Sequence, residues 1–132
     1  MTPDPTALLA LAESAIDRVI PRLRTAHAEP DMAIETKSTI TDMVTRFDRW
    51  SEETIVETIL AARPDDSILG EEGGTIEGAS DVSWVIDPID GTTNFIYDLS
   101  GCSVSVGALI DGERAAAAVH DIIRDERFTA TR

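Results

Sequence analysis

The run from Cys102 to Ile110 constrains the fold more than any other stretch of the chain. Cys102, Val104, Val106 and Ala108 take every second position, with Ser103, Ser105 and Gly107 between them, which is the period of a strand with one buried face. Asp111-Gly112 follows at once, a dipeptide suited to a two-residue hairpin because both positions tolerate positive φ. Ala115 to Ala118 has high helix propensity, yet the hairpin turn demands an antiparallel partner, and small side chains suit a sheet covered by helices. The segment is therefore read as a strand. Arg124-Asp125-Glu126 is a second turn, and Arg127 to Thr131 a last strand.

Upstream, Thr6 to about Ala28 reads as an amphipathic helix, with Leu8, Ala12, Ala15, Ile16, Val19 and Leu23 on one stripe. Pro21 is expected to kink or divide it. Met32 to Thr36 alternates as a strand does and leads into a polar loop, Lys37-Ser38-Thr39. A second helix is expected to begin near Thr45, where Thr45-Arg46-Phe47-Asp48 has the spacing of a capping box, and to end at Arg63-Pro64. Its apolar face is Phe47, Ile55, Ile59 and Leu60. Ser67 to Gly70 and Val82 to Ile86 are short strands running into Glu71-Glu72-Gly73-Gly74 and Asp87-Pro88-Ile89-Asp90-Gly91. Both strands end in acids.

Length allows one domain, since about 150 residues bury roughly 70% of the unfolded surface. No apolar run approaches the roughly 20 residues that span a bilayer, and Met1 to Pro5 lacks a basic leader. A cytoplasmic protein with no membrane partner is expected. Cys102, the single cysteine, has the pattern of a buried thiol. A formal net charge of -14 argues against nucleic acid, whose binding draws on Lys and Arg. A phosphorylated small molecule is also an anion, so binding one requires a local reversal of the field by metal ions or a helix N-terminus.

The segment Trp84 to Phe95 offers that reversal. Asp87 and Asp90 carry hard oxygen ligands suited to Mg²⁺, and Pro88 restricts the turn so that the Ile89 carbonyl could face the same ion. Gly91 permits close approach of the backbone to a ligand. If Thr92-Thr93-Asn94 opens a helix, its amides face a phosphate. Asp-Gly-Thr alone reads as an ordinary turn and helix cap rather than a site, and Glu71-Glu72 alone as a solvated loop. Like carboxylates gathered at strand ends repel each other, so a shared cation explains them if Glu71 joins Asp87 and Asp90.

Gly70-Glu71-Glu72 followed by Trp84-Val85-Ile86-Asp87-Pro88-Ile89-Asp90-Gly91-Thr92-Thr93-Asn94-Phe95 resembles the inositol monophosphatase family. Asp42-Met43-Val44-Thr45-Arg46-Phe47-Asp48 is similar to the family segment ending in a water-activating aspartate, and Lys37 to a lysine of its mobile active-site loop. The resemblance implies an α/β layered sandwich, here two long helices packed on a mostly antiparallel sheet. It implies metal ligands Glu71, Asp87, the Ile89 carbonyl and Asp90, and a catalytic pair, Asp48 and Thr92. Asp90, Gly91, Thr92 and Thr93 would meet the phosphate, and Mg²⁺ would be the cofactor. A phosphate monoester, foremost inositol monophosphate, would be hydrolysed without a covalent intermediate. Histidinol phosphate, fructose bisphosphate or a phosphorylated nucleotide are the alternative substrates.

The match covers about half of such an enzyme, so residues 1–132 are expected to be its N-terminal metal- and phosphate-binding half. The family's downstream Trp-Asp motif is not in the sequence, and Ser100 stands where members commonly carry proline. A homodimer is expected of the complete protein. Two rivals fail on spacing: a haloacid-dehalogenase nucleophile would fall at Pro88, and the acids do not alternate as in an EF-hand. An inactive metal- or phosphate-binding domain remains open.

Overall fold

The structure, a computed structural model, describes residues 2–29 and 40–132. The strand expected at Met32 to Thr36 and the loop bearing Lys37 lie outside the described residues. Helix α1 spans Pro5–Arg24 and is followed by a 3₁₀ turn, Ala26–Ala28, and by helix α2, Ile40–Ala62. Strands β1 (Ser67–Gly70), β2 (Thr75–Ile76) and β3 (Val82–Asp90) come next, then the short helix α3 (Thr92–Ile96). Strands β4 (Ser103–Ile110), β5 (Glu113–Asp121) and β6 (Glu126–Thr131) complete the chain. The six strands form one sheet in the order β2-β1-β3-β4-β5-β6. Among the described residues only β1 and β3 pair in parallel.

α1 begins where its chemistry allows: Asp4 accepts the Thr6 amide at 3.0 Å, and Pro5 takes the first turn, where an amide hydrogen is not needed. All six residues of the expected stripe are buried. Pro21 does not divide the helix, which runs on to Arg24 before Thr25 departs from helical geometry. A proline so near the end removes one hydrogen bond of the last turn, a small loss against the burial of Ile20 and Leu23. α2 begins at Ile40, upstream of the expected Thr45. The capping pattern is only a permitted start, and Ile40, Val44 and Phe47 already follow helical spacing in the sequence, so nothing stops the helix there.

Both long helices lie against the sheet, α1 mainly on β4 and β5 and α2 on β3. Small residues meet small residues: Ala12 and Ala15 of α1 and Ala115, Ala116 and Ala118 of β5 are all buried. A register shift after Ala108 turns both Ala115 and Ala116 inward. The Ala run is a strand, as its hairpin required, with Asp111 at φ 52° and Gly112 at φ 78° joining Ile110 to Glu113. Arg127 ties β6 to α1 through Asp17 at 2.5 Å and donates to Nδ1 of buried His120 at 3.1 Å. Arginine cannot accept, so His120 carries its proton on Nε2 and donates it to Asp125 at 2.8 Å. Cys102 is buried, and burial pushes its thiol up to about 11, as befits a core residue. No helix among the described residues is long and apolar enough to cross a membrane.

Asp66 is the polar keystone between α2 and the sheet. Its carboxylate accepts from Arg63, from Ser80 at 2.6 Å and from the buried Trp84 indole at 2.8 Å. Burial would raise its carboxyl, but these three donors outweigh burial and hold it below the usual range. Its contribution is therefore present above the unfolded pKa and lost as pH falls. Asp66→Ala leaves the Trp84 N–H buried without a partner and should lower the unfolding free energy in urea by about 2–3 kcal/mol.

Candidate active site

Parallel pairing of β1 with β3 decides where the acids meet. Gly70 lies opposite Ile86, so Glu71, the first residue past β1, falls beside Asp87 of β3 near the carboxyl ends of these two parallel strands, where ligands of α/β proteins commonly sit. β3 then bulges against β4: Asp87 pairs with Ser105 and Asp90 with Ser103, leaving one residue too many on β3. The extra length is taken up by Pro88 and Ile89, both buried, and the Pro88 carbonyl accepts from Ser51 of α2 at 3.1 Å. Asp90 ends the strand exposed to solvent. Gly91 adopts φ 80° and ψ 46°. A Cβ there would stand 2.2 Å from the Gly101 carbonyl oxygen, so glycine is required by the chain's own return as well as by φ. α3 opens at Thr92 as expected, with its first helical bond from Phe95 N to Gly91 O at 3.0 Å. The amides before it lack intrahelical acceptors.

From the other side α2 presents Asp48, Ser51 and Glu52, all buried. The Asp48 carboxyl is pushed up to about 7, first by burial and then by the charges of Glu72, Glu71, Asp87 and Glu52. The Asp87 carboxyl is raised to about 6, by burial, by the charge and hydrogen bond of Glu71 and by Asp90, against a smaller opposing pull from the Ile89 amide. Oδ1 of Asp48 and Oδ1 of Asp87 are buried without a hydrogen-bond partner. Buried carboxylate oxygens facing other carboxylates are costly unless a cation meets them, and an all-oxygen donor set suits a hard divalent ion. The residues thus fit Mg²⁺. Among the described residues no three His, Cys, Asp or Glu side chains are already arranged as a metal-holding group. The acids are gathered but not closed, the arrangement expected of mutually repelling carboxylates.

Asp87 lies within the fields of Glu71 and Asp90, and Asp48 within those of Glu71 and Asp87. Thr92 is not joined to Asp48: its hydroxyl donates to the Ile89 carbonyl at 3.4 Å, the same oxygen expected to face the metal. Thr93 is exposed on the first turn of α3. Sequence reasoning missed Ser51 and Glu52. A signal for Glu52 was available, since it follows Asp48 by four residues and so shares its helix face. A hollow of about 850 Å³ lies elsewhere, over the uncovered sheet face, lined by residues such as Val85, Gly107, Leu109 and Ala117. It contains none of the clustered acids.

The model of the inositol monophosphatase family matches residues 4–132. The Nus factor SuhB of Pasteurella multocida is 48% identical over 103 residues, covering 77% of this chain and 38% of that protein. The extragenic suppressor protein SuhB of Bartonella henselae superposes with a TM-score of 0.81 at 30% identity, covering 96% of this chain and 48% of that one. An inositol monophosphate-bound inositol monophosphatase II (SaIMPase-II) superposes with a TM-score of 0.76 at 31% identity, covering 95% of this chain and 44% of that one. The chain thus spans less than half the length of each.

Proposed function

The chain belongs to the inositol monophosphatase family, and on that premise we propose that its acid cluster serves Mg²⁺-dependent hydrolysis of a phosphate monoester. The observation that carries this reading is the pair of partnerless buried oxygens on Asp48 and Asp87, set beside Glu71 and the opening of α3. Glu71, Asp87, Asp90 and the Ile89 carbonyl would hold Mg²⁺, which when bound acidifies water and draws charge from phosphoryl oxygens. Asp48, buried on α2 beside the cluster with one oxygen unpartnered, accepts the proton of the attacking water. The amides of Gly91, Thr92 and Thr93 receive the phosphate oxygens, and the Thr92 hydroxyl can turn from the Ile89 carbonyl to orient the water. Asp48 and Thr92 are thus the catalytic groups. Inositol monophosphate is the proposed substrate, supported by the bound ligand of the SaIMPase-II structure.

The test is phosphate release from inositol monophosphate in Mg²⁺ and in EDTA, beside calorimetric titration with Mg²⁺. Asp90→Asn should abolish both binding and turnover while leaving the far-UV spectrum unchanged, because one charged ligand is lost from an exposed strand end. Parental Mg²⁺ binding by that variant would remove Asp90 from the site. A second reading is metal or phosphate binding without turnover, favoured by the name Nus factor carried by the Pasteurella relative. Binding with no Mg²⁺-dependent phosphate release would select it.

A further inference from the structure

Glu52 is an acid buried to 4% exposure in a cluster already overloaded with negative charge, and it adds to the field on Asp48. It differs from Asp48 and Asp87 in one respect. Both of its oxygens are occupied, Oε1 by the Glu72 amide at 3.1 Å and Oε2 by the Gly73 amide at 2.5 Å. Two backbone donors offset its charge, so it is not an oxygen donor waiting for a cation.

The loop it grips follows Glu71 directly. Residues 71–74 are exposed, and the Gly70 amide bond to the Gly74 carbonyl at 3.1 Å closes the loop without fixing its middle. The glycines around it are shaped to Glu52. A Cβ on Gly70 would lie 2.7 Å from the Glu52 carboxyl carbon, and one on Gly73 3.0 Å from Oε2. The preceding residue, Ser51, holds the Pro88 carbonyl. Consecutive residues of α2 therefore grip the two segments that carry Glu71 and Asp87.

The geometry points to Glu52 as a positioning residue: it sets the Glu71–Gly73 backbone so that the Glu71 carboxylate faces Asp87. This rests on the reading of the acid cluster as a cation site. Glu52→Gln keeps the shape but replaces one acceptor by a donor, and Gly70→Ala displaces the carboxylate while keeping every charge. The purified chain is titrated with Mn²⁺, followed by electron paramagnetic resonance, and hydrogen exchange is measured at the Glu72 and Gly73 amides. Both variants should bind Mn²⁺ about tenfold more weakly, the usual scale for losing an outer-shell partner. Exchange at one or both loop amides should quicken while cooperative unfolding is retained. A loss confined to Glu52→Gln would mean that charge alone acts, and would overturn the proposal. So would parental Mn²⁺ affinity in both variants, or unchanged exchange. If the parent chain binds no Mn²⁺, the cation reading itself falls and takes the proposal with it.

Discussion

In any form of the protein that turns over a phosphate monoester, Asp48→Asn lowers kcat by about 10²- to 10⁴-fold, the range for losing a general base. Asparagine preserves the shape of a buried side chain, so packing beside Phe47 and Ser51 is maintained. It cannot take a proton. Burial and four neighbouring acids raise the Asp48 carboxyl to about 7 in the cation-free protein, so its site favours taking up a proton more than an ordinary carboxylate does. Metal affinity should fall far less than kcat, because the substitution removes one nearby negative charge but none of the proposed ligands. Steady-state kinetics across a Mg²⁺ titration separates the two effects. A variant with near-parental kcat would place the proton elsewhere. Thr92→Ala should lower kcat in the same direction, with the metal site retained.

The cation-free chain becomes less stable as pH rises from about 4 to about 7, and Mg²⁺ restores what was lost. Carboxyls in the unfolded chain titrate near 3.8, whereas Asp48 and Asp87 in the folded chain titrate near 7 and 6. Between those values the folded state holds more protons than the unfolded state, so unfolding free energy falls with rising pH. Above about 7 both states are ionised at these groups and the slope disappears. For Asp48 alone the loss is on the order of 3 kcal/mol, because each tenfold gain in proton affinity is worth about 1.4 kcal/mol and solvent screens part of the field. Asp66 opposes this at the acid end, because its lowered carboxyl withdraws stability as pH falls. Urea unfolding at pH 5 and 7.5, each with EDTA and with Mg²⁺, checks both parts. Stability that rises between these pH values in EDTA, together with indifference to Mg²⁺ at pH 7.5, would contradict the repulsive cluster.

Local chemistry is what the sequence by itself determined. The stripe from Leu8 to Leu23, the strand from Ser103 to Ile110 and the Asp111-Gly112 hairpin each follow from a period or a turn preference within a few residues. The Ala115 to Ala118 strand was legible only because the hairpin overruled helix propensity. Acids at the ends of β1 and β3, and an α3 opening at Thr92, could be read in the same way. Tertiary structure decided what lies across the sheet. No local pattern states that β1 and β3 are parallel neighbours, yet that pairing alone places Glu71 beside Asp87. Sequence likewise suggested a ligand for Gly91, where packing supplies the Gly101 carbonyl. The grip of Ser51 and Glu52 on two distant loops joins positions separated by 37 and by 20–21 residues, distances along the chain that helical or strand periodicity does not encode. Pro21 marks the opposite case, a local signal for a break that burial of Ile20 and Leu23 on the continuing apolar face outweighed, because packing energy exceeds the preference of one residue.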